Sequence, residues 1–220
     1  MDLLDLVFPE RLYCMACEDF ISKGEEDGLC PKCRGKMEWI IDNPRQRDMH
    51  LFSFDRLWTC TTYGHLPRDI VMKMKKGRRP QIARSVGRLL ADRVRLEELN
   101  GDEIFTGVPM HRDKEMTRGY NQAELLAKYC AAELGAIYRR GLLLKLQDTA
   151  SMRLASGDER RIMLQSAFSC REKLNGENII LVDDVITTGS TADACAKCLK
   201  EAGAGSVTVL CFAATKSEGL

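Results

Sequence analysis

Asn178-Ile179-Ile180-Leu181-Val182-Asp183-Asp184-Val185-Ile186-Thr187-Thr188-Gly189-Ser190-Thr191 is the stretch on which the rest of the chain is organised. Ile179 to Val182 is an unbroken aliphatic run, the pattern of a strand buried on both faces of a parallel sheet. The run reaches two adjacent carboxylates, Asp183 and Asp184, and then a loop of hydroxyls and glycine. Residues 192–202 read as a helix with Cys195, Cys198, Leu199 and Ala202 on one face. Strand, acidic pair, small polar loop and helix start therefore follow in order.

Unpaired backbone N–H groups at a helix start, supplemented by hydroxyls, make an anion site suited to a phosphate. The carboxylates just upstream would repel that phosphate, so they need a neighbour that donates hydrogen bonds or carries positive charge. Vicinal ribose hydroxyls or a magnesium ion would serve, and a sugar phosphate satisfies both halves. The stretch resembles the phosphoribosyl-pyrophosphate signature of type I phosphoribosyltransferases. By that resemblance Asp183 and Asp184 face the ribose hydroxyls, and Thr187, Thr188, Gly189, Ser190 and Thr191 hold the 5′-phosphate. The rival reading, a Walker-B strand, needs a glycine-rich loop closing on Gly-Lys-Ser/Thr. Gly35-Lys36 is followed by Met37, so that loop is missing.

At 220 residues, with 45% hydrophobic and 30% charged side chains, the chain is ordinary for a soluble protein with one good-sized core and a small appendage. Its start lacks the basic residues and long apolar run of a signal peptide, and no stretch is long enough to cross a membrane. The expected location is the cytoplasm. In that compartment the ten cysteines read as metal ligands and buried thiols rather than disulfides.

Cys14-Met-Ala-Cys17 and Cys30-Pro-Lys-Cys33 are two C-x-x-C knuckles, which together supply the four thiolates of a closed tetrahedral zinc site. Such a site leaves no position for water, so the zinc is expected to be structural and to hold together a module too small for its own core. The spacing predicts a zinc-ribbon module over residues 1–45 and an α/β domain over residues 46–220. Residues 40–62 read as a connector.

Helical periodicity begins near Tyr63, with Leu66, Ile70 and Met74 on one stripe, and a second helix spans about Pro80 to Glu98 with Arg84, Arg88, Arg93 and Arg95 mostly outward. Residues 68–95 hold ten Lys or Arg against two acids, a local excess of eight positive charges in a chain of net charge +1. This predicts one strongly basic face, with Lys73, Lys75, Lys76, Arg78 and Arg79 as candidate nucleic-acid contacts; a solvated helix face explains the same residues. Residues 104–108 read as a strand, residues 109–120 as a second polar, basic loop, and residues 121–134 as a helix stopped by Gly135. Ligands of open α/β sheets bind outside the strand carboxyl ends, so His111, Lys114 and Arg118 are candidates to meet a pyrophosphate across from the acidic pair. Cys195 and Cys198 lie within a helix and read as buried thiols rather than a redox pair.

Taken together, the cysteine knuckles, Tyr63-Gly64-His65-Leu66-Pro67-Arg68-Asp69-Ile70 leading to Lys73, Val108-Pro109-Met110-His111, Arg118-Gly119-Tyr120-Asn121-Gln122-Ala123 and the opening stretch resemble the ComF family. The resemblance covers nearly the whole chain. It implies a type I phosphoribosyltransferase-like parallel sheet flanked by helices, a small N-terminal zinc ribbon, and phosphoribosyl pyrophosphate with magnesium as ligand. It also implies a part in uptake of transforming DNA, with single-stranded DNA and competence-machinery proteins as partners and no membrane insertion. Met152 and Met163 stand where the family carries amides, so no donor set for an acceptor substrate is legible, and Lys114 replaces an arginine. Two functions follow as expectations: a phosphoribosyl-pyrophosphate-binding protein of DNA uptake, or an active phosphoribosyltransferase of nucleotide or base metabolism.

Overall fold

The computed structural model describes residues 13–21, 27–41, 50–76, 79–146 and 167–215. The boundary expected near residue 45, Arg78, Met152 and Met163 lie outside them. Among the described residues the helices are α1 (Pro31–Arg34), α2 (His65–Lys76), α3 (Ile82–Val94), α4 (Arg112–Arg118), α5 (Gln122–Leu134) and α6 (Ser190–Glu201). The strands are β1 (Arg56–Thr62), β2 (Ile104–Gly107), β3 (Ile137–Tyr138), β4 (Leu143–Lys145), β5 (Phe168–Cys170), β6 (Asn178–Ile186) and β7 (Ser206–Ala214).

Five strands form one parallel sheet in the order β1-β7-β6-β2-β3, while β4 and β5 pair antiparallel beside it. The aliphatic runs are continuous because both faces of the sheet are covered. Ile180, Val182, Leu210 and Phe212 pack with residues of α2, α3 and α5 on one face. Ile179, Leu181, Val207, Val209 and Cys211 pack with α6 and the β4–β5 pair on the other. The first of these cores also takes in Cys14, Met15, Ile21, Leu29, Cys33 and Met37, so the cysteine module shares its interior with the α2 and α3 side of the sheet.

The order of the strands positions the site. The chain leaves β2 toward β3 and leaves β6 toward β7, in opposite directions from neighbouring strands, and such a divergence opens a crevice at the strand carboxyl ends. Helix α5 starts at the Asn121 cap, whose side chain accepts from the Ala123 N–H, and ends at Gly135 in the left-handed conformation.

Three local expectations are corrected. Residues 40–62 are not all connector: Arg56–Thr62 is an edge strand, disguised by threonines whose branched side chains suit a strand but read as polar. Residues 112–118 are a short helix, α4, rather than loop. Arg93 points inward, only 5% exposed, where its Nε donates to Thr59 O at 3.2 Å and its Nη1 pairs with Glu97 at 2.7 Å. A buried guanidinium with those partners is satisfied rather than solvated.

Candidate functional site

At the end of β6 the strand alternation sends the two acids to opposite faces. Asp184 follows Ile180 and Val182 toward α2, and Asp183 follows Ile179 and Leu181 toward α6. Asp184 is 2% exposed; its Oδ1 accepts from Lys75 Nζ at 2.8 Å, while its Oδ2 is buried without a hydrogen-bond partner among the described residues. Asp183 Oδ1 accepts from the Asp184 N–H at 2.8 Å. Burial, then the neighbouring Asp184 carboxylate, pushes the Asp183 carboxyl up to about 7 against the opposing pull of Lys75.

The loop that follows is short because Gly189 takes a left-handed turn, φ 80°, and caps α6. A Cβ there would also stand 3.0 Å from the Phe52 ring, which stacks on Phe54 at 4.7 Å. Thr187, Thr188 and Ser190 are exposed, Thr191 is half-buried, and the Thr188 and Ser190 hydroxyls lie 2.9 Å apart. Hydroxyls and the first N–H groups of α6 are thus gathered at one helix start, the chemistry of a phosphate cradle. Asp193 Oδ1 accepts from the Ser53 N–H at 2.6 Å, tying the Phe52 segment to the same turn.

Across the crevice, Gly107 faces Val182 in register, and the Val108 N–H donates to Val182 O at 2.8 Å. Gly107 permits a close approach: a Cβ would fall 2.5 Å from Glu124 N, so the start of α5 lies directly on the strand end. His111 caps α4, its Nδ1 accepting from the Asp113 N–H at 3.4 Å, and is half-buried. Lys114 is exposed on α4, and Arg118 donates to Gln122 Oε1. Asn121 Nδ2 donates to Val108 O at 2.9 Å, and the Tyr120 hydroxyl donates to Met74 O.

The nucleic-acid candidates have other engagements. Lys73 donates to Ala16 O at 2.6 Å and pairs with Glu18 at 2.8 Å, Arg79 pairs with Glu18 at 2.9 Å, and Lys75 pairs with Asp184; Lys76 is exposed. Sequence reasoning gave Phe52 only a place at the start of a packed segment and missed the pairing of Lys75. An aromatic beside no motif carries no signal, and 109 residues separate Lys75 from Asp184.

In the cysteine module, the ligand atoms of Cys14, Cys17, Cys30 and Cys33 all lie within 4.8 Å of one another. Tetrahedral zinc with Zn–S bonds of 2.3 Å sets sulfurs about 3.8 Å apart, and Cys17 and Cys30 stand at 3.7 Å. Burial pushes the Cys14 thiol up, but the backbone N–H groups of Cys17, Cys30 and Ala16 outweigh it and bring it down to about 7. Burial pushes Cys33 up. Four thiols this close cannot all ionise without a cation among them, so the donor set fits structural zinc. Cys195 and Cys198, by contrast, are held protonated by burial, Cys198 at about 11.

Residues 3–45 match the model of the double zinc ribbon domain, and residues 146–220 that of the phosphoribosyl transferase domain. Residues 3–45 contain four cysteines and no histidine, ligands for one such site. The chain is 32% identical to DNA utilization protein YhgH of Salmonella typhimurium over 166 residues, 74% of this chain and 73% of that protein. It is 31% identical to Competence protein F of Haemophilus influenzae over 203 residues, 89% of this chain and 87% of the relative. The chain belongs to the ComF family. Competence protein ComFC of Bacillus subtilis is 26% identical to this ComF-family chain over 209 residues, covering 91% and 82% of the two chains. No helix among the described residues is long and apolar enough to cross a membrane.

Proposed function

We propose that this chain binds phosphoribosyl pyrophosphate, with its magnesium, across the two loops, and serves the handling of single-stranded DNA in competence. The observation that carries the reading is the divergence of the two loops from the adjacent strands β2 and β6. The loop after β6 offers acids and a hydroxyl-lined helix start, and the one after β2 offers His111, Lys114 and Arg118. Asp183 and the unpartnered Oδ2 of Asp184 accept from ribose hydroxyls. Thr187 to Thr191 hold the 5′-phosphate, and the basic groups neutralise the pyrophosphate. Magnesium bound with the pyrophosphate would offset part of its charge. The printed names of the relatives, a DNA utilization protein and competence proteins, support the cellular setting.

The groups opposite the acids also favour a second reading, an active transferase, because neutralising a departing pyrophosphate is what stabilises an oxocarbenium-like transition state. Calorimetry with magnesium and phosphoribosyl pyrophosphate is expected to give binding that disappears in Asp183→Ala/Asp184→Ala; undiminished affinity in that variant rejects the site. Pyrophosphate release over a panel of bases and amines then divides binder from enzyme.

A further inference from the structure

The last turn of helix α2 holds three consecutive residues, Lys73, Met74 and Lys75, that reach three parts of the chain. Lys73 Nζ donates to Ala16 O at 2.6 Å, inside the first cysteine knuckle, and pairs with Glu18 at 2.8 Å. Met74 O accepts from the Tyr120 hydroxyl, just beyond α4. Lys75 Nζ pairs with Asp184 Oδ1 at 2.8 Å. The Asp184 side chain is nearly sealed, while that of Lys75 is 27% exposed. The charged and titratable groups acting on the acidic pair are Lys75 from α2, Lys145 from β4 and Cys195 from α6.

We propose that Lys75 is the positioning residue of the acidic pair, and that the zinc knuckle holds it in place through Lys73. The inference rests on the reading of Asp183 and Asp184 as the ribose side of the site. A buried carboxylate without a cation is costly, and here a second carboxylate lies next to it. Pairing one oxygen of Asp184 with Lys75 offsets that cost and fixes the direction of Oδ2, which stays buried and without a hydrogen-bond partner among the described residues. A neutral hydroxyl can satisfy Oδ2 without disturbing the ion pair. Lys75 is itself held by the two neighbours in its own turn: Lys73 is anchored on backbone carbonyls of the knuckle, and Met74 receives Tyr120. Metal that orders the knuckle therefore orders the end of α2 and, through it, Asp184.

The test uses the full zinc-loaded chain and calorimetry with ribose 5-phosphate, which carries the 5′-phosphate and the vicinal hydroxyls without the pyrophosphate. Lys75→Met is expected to bind about tenfold more weakly, since one partner of a buried pair is left uncompensated. Lys75→Arg keeps the charge and is expected within about threefold of the parent. In an Asp184→Asn background Lys75→Met should cost nothing further, because the two residues act as one unit. Lys73→Met should weaken binding at unchanged zinc content. Parental affinity in Lys75→Met, while Asp184→Asn loses binding, overturns the inference and leaves the ribose reading standing; so do additive losses in the double variant. Failure of the parent to bind either ribose 5-phosphate or phosphoribosyl pyrophosphate removes the ribose reading, and the inference falls with it. Should Lys75→Met not fold, Lys75→Gln replaces it with the same expectations.

Discussion

At the scale of single residues, the acidic pair sets a pH dependence whose sign is fixed by its surroundings. Asp183 is pushed up to about 7, first by burial and then by Asp184. A carboxyl whose pKa is higher in the folded than in the unfolded chain binds more protons when folded, so stability falls as pH rises from about 4 to about 7 and levels off above that. Burial also pushes Glu124 up, despite its bonds from Tyr138 at 2.7 Å and the Gly141 N–H at 2.9 Å, and this adds a slope of the same sign. Asp183→Asn is therefore expected to flatten the profile and to be more stable than the parent at pH 7.5. Urea unfolding at several pH values between 4.5 and 7.5 measures it; an unchanged slope would assign the pH dependence to other groups. Asp183 is thus a carboxyl that folding tolerates at a cost. Asp183, Asp184 and the loop after them were legible in sequence, since a strand, two acids and a hydroxyl loop lie within fourteen consecutive residues. The Lys75 partner was not, because the chemistry of an ion pair depends on distance in space and leaves no spacing in the chain.

Elements were legible where a period or a cap declared them. Helix α5 announced itself by Asn121 and Gly135, and β6 by its aliphatic run. Strand β1 did not, because Thr59 and Thr61 are buried strand residues that look polar, Thr61 satisfying its hydroxyl on Glu38 O at 2.7 Å. The same pairing gives the cysteine module a second structural task. Trp39 bridges antiparallel to Thr61, the Ile40 N–H donates to Cys60 O at 2.9 Å, and the Thr62 N–H donates to Glu38 O at 2.9 Å. The chain leaving the second knuckle thus covers the outer edge of β1, which would otherwise present unpaired N–H and C=O groups to other molecules. Removing the metal with a chelator under reducing conditions is expected to loosen that segment. Amide exchange at Ile40 and Thr62 should accelerate, and the chain should self-associate through the uncovered edge. Trp39 should report the change in fluorescence, since its indole donates to Arg34 O at 3.1 Å and carries the Arg34 guanidinium 5.4 Å from its ring. Unchanged exchange at Ile40 and Thr62 in the metal-free chain would show that the edge is held by packing alone.

For the whole molecule, the distribution of charge decides how DNA would be held. Ten basic side chains between residues 68 and 95 promise a broad cationic face. Folding instead gives at least six of them acid partners among the described residues: Lys73 and Arg79 share Glu18, Lys75 takes Asp184, Arg88 takes Glu133, Arg93 takes Glu97 and Arg95 takes Asp92. Three of those partners lie in other elements, so much of the basic segment joins the cysteine module, the sheet and α5 to one another. A single strand neutralised by all ten would show a slope of about −7 in log affinity against log salt, whereas two or three contacts give about −2. The folded arrangement predicts the shallow value, with exposed Lys76 and Arg68 carrying it. Fluorescence anisotropy of a labelled oligothymidine over a salt series measures the slope directly. Lys76→Ala should reduce its magnitude by about 0.7, the share of one phosphate contact. Lys75→Met should leave it unchanged, because that ammonium is committed to Asp184. A slope near −7 would mean that the internal pairs open when DNA arrives, making the basic segment a nucleic-acid face at the expense of the contacts that join the parts of the fold.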